Sequence, residues 1–159
     1  MNDLFDKLYL KPNLSLFEIR ILNCIMFIES ELDRLLDNVN KCLKQLEIYQ
    51  FREDYIKIKI TFKLNLVDTL LEAKFFNDQF KEELNQKMFD IIEEAISLNL
   101  EHQLNEYCAG LANVYKGILL KNKNRIFIGA LLIDSSRVQD EQNISNLIKI
   151  YTQRYNKVI

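Results

Sequence analysis

Between residues 15 and 46 the apolar positions recur three and four apart. Leu22, Ile25, Leu32, Leu36, Val39, Leu43 and Leu46 form a seam that Glu29 interrupts. That spacing places side chains on one face of an α-helix. Phe17, Ile21, Phe27, Ile28 and Leu35 widen the stripe beyond a coiled-coil seam, so the pattern predicts one helix of about 30 residues buried in a bundle. Its start is marked by Ser15-Leu16-Phe17-Glu18, the order of a capping box. Leu14 and Ile19 stand at the staple positions and Pro12 just outside.

Residues 56–66 alternate strictly between apolar and polar side chains, the period of a half-buried strand. The same stretch runs on into Val67-Asp68-Thr69-Leu70-Leu71 without a turn residue, and its one plausible strand partner is the short apolar run 125–134. A central bundle helix, apolar nearly all round, is therefore preferred, with a two-stranded element at 56–66 and 125–134 as the alternative. Asn77 and Asp78 offer another N-cap, followed by the seam Leu84, Met88, Ile91, Ala95 and Leu98. Asn99 marks a phase break. Leu104, Cys108, Leu111, Tyr115 and Ile118 make a fresh seam, 121–124 is a polar loop, and a last helix is expected at about 144–155. The expected fold is all-α: a single domain spanning 1–159, with about five or six helices.

Composition supports this reading. The 159 residues hold only 3 Gly and 1 Pro, too few turn formers for a sheet-rich domain. Gly110, Gly117 and Gly129 fit no phosphate loop and are read as close-packing or helix-end positions. Apolar residues at 48% and charged residues at 28% are a globular balance, and the chain is long enough to bury a core without metal or disulfide. The net charge of −2 gives no general attraction to phosphate, so nucleic acid is disfavoured as a partner. The start of the chain has the acids Asp3 and Asp6 and no long apolar stretch. The longest apolar run, 126–133, is far too short to span a bilayer. Cys24, Cys42 and Cys108 are isolated in sequence, which suggests core thiols in a reducing, cytoplasmic setting.

Motifs for chemistry are scarce. His102 is the single histidine, and it continues the apolar seam of Leu84 to Leu98, where a core or helix-capping role is expected. No Glu stands three residues before it, so the paired Glu-x-x-His motifs of a di-metal bundle are missing. Helical ribonucleases of this size place an Arg a few residues before His, whereas the nearest preceding arginine here is Arg52. No metal, cofactor or catalytic residue is assigned.

Charge carries the one functional pattern. Glu83, Asp90, Glu94 and Glu101 fall within about 40° on a helical wheel at 100° per residue. Between Glu82 and Glu106 stand seven acids and one base, Lys87. The sign then flips at Lys116, Lys121, Lys123 and Arg125. The sequence is therefore read as a non-enzymatic protein-binding domain, such as an immunity protein, antitoxin or chaperone. Its acidic ridge would meet a protein partner of basic character, and reversing Asp90 and Glu94 should leave stability nearly unchanged. Self-association is left open. The alternative is a small nuclease or other effector enzyme using His102, Tyr107 and the loop 121–125.

Overall fold

A computed structural model describes residues 2–29, 31–76, 80–103 and 106–136. These contain seven α-helices and no strand: α1 (Asn2–Leu10), α2 (Leu16–Ile25), α3 (Leu32–Leu46), α4 (Tyr55–Phe76), α5 (Glu83–His102), α6 (Glu106–Leu119) and α7 (Lys123–Ser135). The all-α expectation holds, and both candidate strand segments lie inside helices. The expected helix at 144–155 and the caps Asn77 and Asp78 lie outside the described residues. α5 begins at Glu83 without a side-chain cap.

α4 lies at the centre, touching α2, α3, α5 and α6. Ile58, Ile60, Phe62, Leu64 and Leu66 are all buried, although they occupy alternate positions. Alternate residues in a helix step by 200°, so a surrounded helix can bury every one of them. The polar residues between them are satisfied individually. Thr61 Oγ1 donates to the Lys57 carbonyl (2.8 Å), Asn65 donates to Asn23 Oδ1 (3.1 Å), and Lys59 reaches Glu47 (2.9 Å). A strand pattern is thus accommodated by a buried helix whose long polar side chains reach outward.

The long seam of residues 15–46 is two helices, not one. α2 starts at the expected capping box: the Ser15 N–H donates to Glu18 Oε2 (2.8 Å) and the Glu18 N–H to Ser15 Oγ (3.3 Å), with Leu14 and Ile19 buried beneath. The chain tightens into a 3₁₀ turn at Met26–Ile28 and becomes extended at Glu29. There the Glu29 carboxylate accepts from the Glu31 N–H (3.0 Å) and pairs with Arg34 Nε (3.3 Å). A side chain bonding locally to backbone competes with helix continuation, which is why the interruption at Glu29 is a break.

The N-terminal helix α1, which the apolar pattern did not predict, is held by α3. The Arg34 guanidinium stacks over Tyr9 (4.8 Å to the ring centroid) and Phe5 (5.5 Å), and bonds to Asp6. Lys41 donates to the carbonyls of Tyr9 and Lys11 near the end of α1, where helix carbonyls lack partners.

α6 and α7 form a tight antiparallel hairpin. A methyl group on Gly129 would lie 2.6 Å from the Gly110 carbonyl oxygen and 2.7 Å from the Val114 nitrogen. The two backbones therefore touch, and the close-packing role expected of these glycines is met. The hairpin turn uses Lys121 in the left-handed region (φ 52°), and the Asn122 side chain caps α7 by accepting from the Arg125 N–H (3.1 Å).

Candidate functional site

α5 packs on α4 through Leu84, Met88, Ile91, Ile92 and Ala95, all buried. This fixes the opposite face toward solvent, and Glu83, Asp90, Glu94 and Glu101 are all exposed there. The ridge read from sequence therefore exists as a line of carboxylates, about 27 Å long at 1.5 Å per residue.

Its four members are not equivalent. Glu83 and Glu101 have no cation partner among the described residues. Asp90 accepts from the Gln86 amide (2.8 Å). Glu94 instead accepts from Lys63 Nζ of α4 (2.7 Å). The Lys63 side chain is only 10% exposed, against 48% for Glu94. A lysine so deeply set needs a counter-charge, so Glu94 serves the fold as well as the surface. The expectation that Glu94 could be reversed at no cost to stability is at odds with this contact. Glu93, on the flank of the ridge, pairs with Lys116 of α6.

The basic residues beyond α6 divide similarly. Lys116 and Arg125 are half-buried and engaged, Arg125 Nε donating to Asn113 Oδ1 (3.2 Å). Lys121 and Lys123 are exposed. His102 is exposed as well, in the last turn of α5, so of the two roles expected of it, core or helix cap, the structure excludes the core one. α5 runs three residues past Asn99 before Gln103 enters the left-handed region (φ 48°) and ends it, so the last turn overhangs the packed seam. Tyr107 is half-buried at the start of α6. Thirteen helical steps, about 20 Å, separate the ends of α6, which stands in the chain between His102 and the loop 121–125.

Thiol positions follow burial. Cys42 and Cys108 are buried and Cys24 is exposed, which corrects the core assignment for Cys24. Burial pushes the Cys42 thiol up to about 12. Among the described residues no three His, Cys, Asp or Glu side chains converge as a metal-ligand set, and no helix is long and apolar enough to cross a membrane.

Two exposed features escaped the sequence reading. A cleft of about 540 Å³ opens before α4, lined by Arg52, Glu53, Asp54 and Lys57. Two of its charges are paired: Asp54 bonds Arg52 (3.0 Å) and also Arg20, and the Arg52 contact holds its carboxyl below the usual range. The second feature is the outer face of α7, where Phe127, Ile128 and Leu131 stand in solvent. A helical wheel of 123–135 would have shown it, because those three residues lie opposite Ile126, Gly129, Ala130 and Ile133. No protein-family model, curated protein or solved structure matches the chain.

Proposed function

We propose that the chain is a non-enzymatic protein-binding domain that engages a basic protein partner through the outer face of α5, in the manner of an immunity protein, antitoxin or chaperone. The observation that carries this reading is the exposure of Glu83, Asp90 and Glu101 along one side of a helix, with no cation compensating them among the described residues. Uncompensated like charges on a rigid helix produce a field that steers an oppositely charged surface and sets its register. The enzymatic alternative finds less support. A catalytic centre needs its groups within a few ångströms of one substrate atom, whereas His102 and the loop 121–125 stand at opposite ends of α6. A cytoplasmic setting accords with three cysteines of which none forms a disulfide.

The test is affinity capture with mass spectrometry, using the wild-type chain and a Glu83→Lys/Asp90→Lys/Glu101→Lys variant, with Glu53→Lys as the charge control. The reading expects a basic protein that the wild type and the control retain and the triple variant loses. Identical captured sets for all three chains would overturn it.

A further inference from the structure

We propose that α7 is a self-association surface, on which a second copy of this chain docks antiparallel through its own α7. The proposal concerns a face remote from the α5 ridge and does not depend on it.

Among the described residues α7 packs mainly against α6. One side, formed by Ile126, Gly129, Ala130 and Ile133, is buried in that hairpin. The opposite side presents Phe127 (50% exposed), Ile128 (53%) and Leu131 (38%) within an arc of about 100°. Three large apolar residues at i, i+1 and i+4 on an exposed helix form the kind of contiguous patch that marks an interface.

Charge placement identifies the occupant. Lys123 in the first turn and Asp134 in the last are eleven residues apart, so they sit on the same flank of the apolar stripe, within about 20° of each other. Neither has an ion-pair partner among the described residues. They cannot pair within one helix, being about 16 Å apart along its axis. A two-fold axis perpendicular to α7, passing near Ile128, reverses the second helix end for end while keeping that flank on the same side. Lys123 of each copy then faces Asp134 of the other, Phe127 faces Leu131, and the two Ile128 side chains meet at the axis. One surface patch thus satisfies its own charges and apolar groups, which is the requirement of an isologous dimer. A partner of uniform charge would leave either Lys123 or Asp134 opposed by a like charge or by none.

A contact limited to one helix per copy lies at the small end of stable interfaces, so the dimer is weak, with a Kd on the order of 10 µM. Sedimentation equilibrium of the full chain across that concentration should show a reversible monomer–dimer transition. Ile128→Glu, at an exposed position that leaves the helical circular dichroism unchanged, should raise Kd by at least about tenfold. Lys123→Glu alone should weaken the dimer, since it sets two carboxylates against each other at both ends. Lys123→Glu with Asp134→Lys should restore it, because the swapped charges again meet across copies. A chain that stays monomeric, or dimerises as well with Ile128→Glu, would overturn the proposal. Failure of the double swap to rescue Lys123→Glu would overturn the antiparallel register.

Discussion

Glu94→Gln removes the carboxylate that pairs directly with Lys63, and its cost can be worked from the contact. Breaking a fully buried ion pair by deleting one partner costs about 3–5 kcal/mol, while an exposed pair is worth about 0–1 kcal/mol. Here the lysine side chain is 10% exposed and the carboxylate 48%, with 2.7 Å between them. The amine sits at the edge of water, so the expected loss lies between those limits, at about 2 kcal/mol. Glu94→Lys adds a like charge and should cost more. Asp90→Asn, at an exposed ridge position without a cation, should stay within about 0.5 kcal/mol. Urea unfolding followed by circular dichroism measures these differences from midpoints at constant slope. The pairing has a further signature: in a Lys63→Met background, Glu94→Gln should cost little, giving a coupling energy of about 1–2 kcal/mol in the double-mutant cycle. Equal midpoints for Glu94→Gln and Asp90→Asn, or additive effects of Lys63→Met and Glu94→Gln, would refute the assignment.

Further outcomes follow from the packing and the caps. Gly129→Ala gains about 1 kcal/mol of helix propensity but drives a methyl group into backbone atoms that cannot rotate away; it should lower stability by about 2 kcal/mol net in thermal or urea unfolding. A thiol reagent should modify Cys24 rapidly at pH 8, with Cys42 and Cys108 reacting only on unfolding; fast labelling of all three would contradict their burial. The Lys11 hydrogen bond, followed by those from Ser15, holds the Glu18 carboxyl down at about 2. A depressed carboxyl contributes stability that is present above its ordinary value of 4.5 and is lost as pH falls toward 2. Carboxyl NMR titration should therefore find Glu18 protonating well below its ordinary 4.5, with Lys11→Ala moving it upward.

Most of the helices were legible because their signals are local. Ser15 and Glu18 specify a cap by spacing alone, and the buried sets of α5 and α6 repeat at helical period. α4 was harder, since its alternation is ambiguous until its neighbours are known; tertiary enclosure, not local pattern, decides between strand and helix. Glu29 was visible as an interruption, but its effect depends on the bond it makes to the Glu31 backbone. α1 was missed because its apolar pattern is short, with Phe5, Leu8 and Tyr9 packing among its described side chains, and the Arg34 and Lys41 that fasten it are more than twenty residues away. The ridge on α5 could be placed from angles alone. That Glu94 answers to Lys63 could not, because the two are 31 positions apart and the contact exists only once α4 and α5 are packed. His102 shows the same limit at a helix end, where an apolar phase in the sequence runs on to a residue that is exposed.

The proposed binding role of α5 is tested most directly by association kinetics between the chain and a protein recovered by affinity capture. Wild type is compared with the Glu83→Lys/Asp90→Lys/Glu101→Lys variant, which leaves the Lys63–Glu94 pair intact. At about 0.1 M salt, where fields reach about 10 Å, the variant should associate at least about tenfold more slowly. The dissociation rate should change little, and the difference should shrink as salt approaches about 1 M. Equal association rates at low salt, or a loss that salt leaves untouched, would contradict an electrostatic docking face on α5.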